Sequence, residues 1–180
     1  STNLNANITI TPNGTGDVVT TGDILPVANI TYNLGSSTLR FSTLYGQSTS
    51  AQYADLAEKY LADARYTPGT VLMIGGIQEL TIAEQYSNKL VGTVSEYPGY
   101  VMNDELIGDF VTTVAYVGRV PCRVEGTITK GDFLVVGPTA GVAVSAEVNG
   151  SDIGPGKIVG RALENHEGTE GMIEIIVGKY

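Results

Sequence analysis

The chain has one cysteine, one histidine, no tryptophan and only three phenylalanines in 180 residues. A lone Cys122 excludes an internal disulfide. It sits in the apolar run from Val120 to Val124 and reads as a buried, inert thiol. A lone His166 excludes a multi-histidine metal site. Its neighbours Glu164, Asn165, Glu167 and Gly168 suggest a hydrated turn, not the rigid seat that a Ser/His/Asp triad needs. Charged side chains make up only 16% of the chain, too few for ordinary helical surfaces. Basic residues are the scarcest of these. With 10 Lys and Arg against 19 Asp and Glu, the net charge is −9 and no basic surface is visible to neutralise phosphates, which argues against a nucleic-acid role. No apolar run approaches the ~18–20 residues of a membrane-spanning helix, and no signal-peptide pattern opens the chain.

What is present is glycine, 23 residues of it, with 42% hydrophobic side chains. Turns are therefore frequent, and the chain is too apolar for a disordered polymer. Residues 1–50 hold only Asp17, Asp23 and Arg40 as charges, so nearly all the negative charge lies beyond residue 50. Residues 1–47 read as short extended pieces between turn clusters such as Pro12–Gly16 and Asn33–Ser37. They are sparse in large apolar residues. Ordering a backbone costs about 1–2 kcal/mol per residue, which this stretch cannot offset within itself. Three copies wound together can bury each apolar edge against two neighbours.

Residues 51–64 carry the best helical pattern, with Tyr53, Leu56, Ala57 and Tyr60 at helical spacing and Ser50 as a cap. This predicts one short helix at a junction, residues 48–65. From Tyr66 to Tyr180 short apolar runs recur near every ten residues with glycine between them, which predicts a compact β-barrel or sandwich. The runs begin near Thr70, Lys89, Phe110, Arg119, Asp132, Gly141, Gly156 and Gly171. Pro68-Gly-Thr-Val-Leu and Lys130-Gly-Asp-Phe-Leu look alike, as do Val91-Gly-Thr-Val and Val159-Gly-Arg-Ala. This pattern fits a duplicated β unit, and equally the general likeness of short hairpins.

The stretch NLGSSTLRFSTLYG, Asn33 to Gly46, resembles an element of phage tail-fibre and tail-spike shafts. QYADLAEKYLAD, Gln52 to Asp63, followed by YTPGTV from Tyr66, resembles the start of C-terminal domains in phage fibre proteins. GRVPCRV from Gly118, ITKGDFL from Ile128 and IVGRAL from Ile158 fit the same kind of domain. The resemblance implies a virion component made in the host cytoplasm, homotrimeric, joined to other fibre proteins and near the distal end of a tail fibre. Leu39, Phe41, Leu44 and Tyr45 would then meet their symmetry mates on the three-fold axis.

Other candidate sites weigh less. Some phage appendage proteins cleave themselves, with a serine and nearby carboxylates in a similar stretch. Here the counterparts are Ser50, Asp55 and Glu58, although the order of Tyr, Ala and Asp differs, and a helix cap with exposed carboxylates explains the same residues. Tyr97, Tyr100, Asn103 and Asp104 form a candidate glycan-contact loop, with packing between subunits as the plainer reading of the tyrosines. Asn149–Asp152 and Asn103–Glu105 lack calcium-loop spacing, and Gly75-Gly76 and Gly154–Gly156 lack the residues of a phosphate loop. The expectation is an all-β structural protein that needs no metal or cofactor and is not an enzyme. The alternatives are a self-cleaving maturation domain or intramolecular trimerisation chaperone, and a monomeric β binding domain.

Overall fold

The structure, a computed structural model, describes residues 10–11, 13–14, 16–28, 31–36, 38–43, 45 and 55–178. The chain divides into two compact units, Ser1–Gln47 and Ser48–Tyr180.

In the first unit, the described residues form no strand or helix. Gly35, at φ 87, opens a turn in which the Ser36 N–H donates to the Leu39 carbonyl at 2.9 Å and the Leu39 N–H to Ser36 Oγ at 3.0 Å. Every large apolar side chain described here is exposed, from Ile10 to Tyr45.

The second unit is almost entirely β. Its strands are β1 (Asp55–Leu61), β2 (Val71–Ile74), β3 (Leu80–Ile82), β4 (Leu90–Thr93), β5 (Tyr100–Met102), β6 (Val111–Glu125), β7 (Phe133–Val136), β8 (Ala143–Ser145), β9 (Ile158–Ala162) and β10 (Glu170–Val177). One sheet runs β10-β9-β7-β8-β6-β1-β5, and β10 also pairs with β6. The five strands β6, β8, β7, β9 and β10 therefore close into a barrel. Its interior holds Val120, Cys122, Val124, Ile128, Leu134, Val159, Ile173 and Ile175. A second sheet, β3-β2-β4, is tied to the first by single bridges, Ala62 to Leu80 and Val94 to Val114, around a core of Leu72, Leu80, Val94 and Val114.

The expected helix over 51–64 is corrected: residues 55–61 are strand β1, and 51–54 lie outside the described residues. Among the described residues of this unit the one short helix, α1, is Ala146–Asn149. Strand β1 lies between β5, parallel, and β6, antiparallel, so both of its backbone edges are paired. Pairing on two sides outweighs the few tenths of a kcal/mol per residue that Ala, Leu, Glu and Lys favour in a helix. Side-chain contacts follow a spacing of two. The Tyr60 hydroxyl donates to Glu58 Oε2 at 3.0 Å on one face, and Ala57 is buried on the other.

The duplication is real. The Gly69 N–H donates to the Val94 carbonyl and the Val94 N–H to Thr70, as Gly131 does to Ala162 and Ala162 to Asp132. Leu72 faces Gly92, and Leu134 faces Gly160, with a register shift directly after each leucine. The parallel bridge Ala62–Leu80 has its counterpart in Val124–Ala143. Strand β6 belongs to both repeats. Its first part pairs with β1, its second with β10, and the two ladders meet at Gly118, whose φ of 120 only glycine adopts readily. The two runs expected on either side of Gly118 are thus one continuous strand.

Candidate functional site

Three regions were singled out by sequence, and the structure treats them differently. Of the expected axis residues, Leu39, Phe41 and Tyr45 are exposed, and Leu44 lies outside the described residues.

Ser50 also lies outside the described residues. Asp55 does not sit on the surface as the cap reading required. It is 6% exposed at the start of β1, its carbonyl accepts the Gly99 N–H at 2.9 Å, and its Oδ2 is buried with no hydrogen-bond partner among the described residues. A buried carboxylate oxygen without a donor costs the full desolvation of that atom, on the order of 1–3 kcal/mol. Glu58 is half-buried and takes the Tyr60 hydroxyl. The Tyr60 and Tyr116 rings lie 6.3 Å apart. Burial, together with the Glu58 carboxylate beside it, raises the Tyr116 hydroxyl above the usual tyrosine range.

The expected 97–104 loop is corrected: Tyr100–Met102 are strand β5, paired with β1, and the residues after it are also held from β1. Lys59 Nζ contacts Asp104 Oδ1 at 2.6 Å and the Asp104 carbonyl at 2.9 Å, and Asn103 Nδ2 donates to the Lys59 carbonyl at 3.0 Å. Asn103 and Asp104, two of the four candidate glycan contacts, are thus already engaged with β1. Tyr97 and Tyr100 remain exposed.

His166 is not in a hydrated turn. Its backbone bridges Ile128 in both directions, its ring lies over Gly171, and its Nε2 is buried with no partner among the described residues. A Cβ at position 171 would collide with the ring, so the glycine makes room for it. Cys122 is fully buried in the barrel, and burial pushes its thiol far above the usual range. Among the described residues no cluster of three His, Cys, Asp or Glu is placed to hold a metal, and no helix is long and apolar enough to cross a membrane.

Two features escaped the sequence reading. Tyr66 pins the first repeat: its hydroxyl donates to Asp63 and accepts the Ile82 N–H at 3.1 Å. That hydrogen bond, with a second from Thr81, holds the Asp63 carboxyl below its ordinary range. The other is a pair of exposed isoleucines, Ile77 and Ile107, in turns beside a surface depression. The only signal in sequence was an aliphatic residue inside turn clusters, where polar residues are usual.

No family model matches the chain, and no curated protein does. A solved structure does: that of the pre-mature gene product 12 of bacteriophage phi29, at 14% identity and a TM-score of 0.54. The match covers 74% of this chain and 23% of that one, so the chain spans about a quarter of that protein. At this identity the likeness is one of fold: the chain shares a β architecture with part of a phage gene product.

Proposed function

We propose that the chain is a structural segment of a phage tail appendage, in which three copies join through residues 10–45 and each carries a β domain behind that junction. The observation that carries this reading is the exposure of every large apolar side chain described between Ile10 and Tyr45, with Val19 at 83% and Tyr45 at 95%. Burying a side chain of this class gains about 1.5–3 kcal/mol, and a single copy realises little of that gain here. The fold shared with a phage gene product supports a place in the virion. The exposed Tyr97 and Tyr100 offer a surface for a host glycan, and a glycan array tests that role directly: binding lost in Tyr100→Ala supports it, and no binding by the unaltered chain refutes it. For the assembly, Leu39→Asp and Phe41→Asp place a charge in the shared interior. Light scattering should drop from about three chain masses to one in both variants. Retention of three copies in both would refute the axis placement.

A second reading, a maturation cut near Ser50, is favoured by one observation. Asp55, five positions downstream and one of the two carboxylates grouped with Ser50, keeps a buried carboxylate oxygen with no hydrogen-bond partner among the described residues. The phi29 gene product with the similar fold was solved in a pre-mature form. Mass spectrometry of freshly refolded and aged chain tests this. A cut near Ser50 that is absent in Ser50→Ala and Asp55→Asn supports it; an intact aged chain refutes it.

A further inference from the structure

The repeats place matching depressions on the β domain, and their chemistry differs. In the first repeat a depression of about 300 Å³ is floored by Leu61–Asp63 and walled by Ile77 and by the loop from Ile107 to Phe110. Through Asp109 and Phe110 it continues into a hollow of about 410 Å³ bordered by Arg65 and Pro68. In the second repeat the counterparts of Asp63 and Asp109 are Glu125 and Glu170, and these line a depression of their own.

Alignment of the hydrogen bonds pairs Ile77 with Thr139 and Ile107 with Gly168. The fold therefore does not require an aliphatic residue at either tip, yet Ile77 is 88% exposed and Ile107 90%. Charges follow the same contrast. Glu170 is neutralised by Arg123, which sits where the first repeat has Leu61. Asp109 thus loses its cation, and among the described residues neither it nor Arg65 has an ion-pair partner. One face of the domain carries protruding aliphatic tips, a hollow beside them, and an unpaired charge of each sign.

We propose that this face of the first repeat docks a neighbouring copy of the chain, the isoleucine tips of one copy entering the hollow of the next. The inference rests on the three-copy reading above and deepens it. A copy of the same face fits because it supplies knob, hollow, cation and anion together, so that Arg65 of one copy can meet Asp109 of another. Contacts between unlike parts of one face are heterologous, and they close into a ring of three when each copy is turned by a third of a circle from the last. An anionic lipid surface fits poorly, because Asp63 and Asp109 line the depression beside the tips.

Carbene footprinting of the unaltered full chain, read by mass spectrometry and normalised to the unfolded chain, tests the contact. Val148, 62% exposed and outside this face, is the internal reference. Ile77 and Ile107 should be labelled at least threefold less than Val148. In Ile107→Asp, labelling of Ile77 and Phe110 should rise at least threefold with an unchanged far-UV spectrum. Labelling of both tips at or above the level of Val148 would overturn the contact. The light-scattering mass of the same sample separates the two ideas: three copies with fully labelled tips removes this contact alone, whereas a single copy removes the assembly as well.

Discussion

Gly92 and Gly160 occupy the same place in the two repeats, each opposite a leucine at the point where the register shifts. Neither needs a positive φ, so any demand for glycine there is steric. A Cβ at Gly92 would lie 2.5 Å from the Ala115 carbonyl oxygen, and one at Gly160 2.8 Å from that of Ile176. Both obstacles are backbone atoms inside a ladder, so relief requires strands to part by about half an ångström or more. Overpacking of this kind costs about 1–3 kcal/mol. Alanine returns about 0.4–1 kcal/mol by restricting the unfolded chain. Gly92→Ala and Gly160→Ala should therefore each destabilise the domain by about 1–2 kcal/mol. That lowers the melting temperature by roughly 3–8 °C, at a few degrees per kcal/mol for a domain of this size. Gly154→Ala is the control, since nothing approaches its Cβ closer than 3.8 Å; it should be neutral within about 0.5 kcal/mol. Thermal and urea unfolding followed by circular dichroism reads all three. If the two ladder glycines behave like Gly154, or if either variant is stabilised, the close strand approach that underlies the repeat is wrong.

Cys122 should resist alkylation at pH 8 in the folded chain and react fully in denaturant, because burial holds its thiol protonated; rapid labelling of the native chain would contradict a closed barrel. Hydrogen bonding from Tyr66 depresses the folded Asp63 carboxyl, so its stabilisation is present above about pH 4 and is lost as pH falls through the lower folded value. Tyr66→Phe should flatten the acid limb of stability below about pH 4, and at neutral pH it should cost about 1–2 kcal/mol as the Ile82 N–H loses its acceptor; an acid limb identical to that of the unaltered chain in urea titrations would refute the linkage. Ser145, fully buried, donates to Asp132 Oδ2 at 2.7 Å and accepts the Val148 N–H at the start of α1. Ser145→Ala should lower stability by about 1–3 kcal/mol, and a neutral result in the same unfolding assay would show that this buried pair does not matter.

The barrel was legible because its strands are apolar runs bounded by glycine, as in the run from Phe133 to Val136 between Gly131 and Gly137 and the alternation from Gly171 to Val177. The repeat was visible too, although only the paired hydrogen bonds of Gly69 and Gly131 separate it from chance likeness. Strand β1 was misread because DLAEKYL combines helix-forming residues with a spacing that satisfies either period, and only the flanking strands decide. Strands β3 and β5 were missed because three residues are too few to show a period. Asp55 and His166 looked like solvated surface groups by composition, and the burial of Asp55 and of His166 Nε2 depends on strands brought in from elsewhere in the chain, through Gly99 and Ile128. The Ile77 and Ile107 face is recognisable only by comparison with Thr139 and Gly168, which requires the repeat to be aligned first.

The central claim is that residues 10–45 find their apolar interior in other copies of the same chain. Multi-angle light scattering on the unaltered 180-residue chain, over a hundredfold range of concentration, tests it most directly. The account predicts a mass of about three times 18.9 kDa. A stable mass of 18.9 kDa throughout would contradict it.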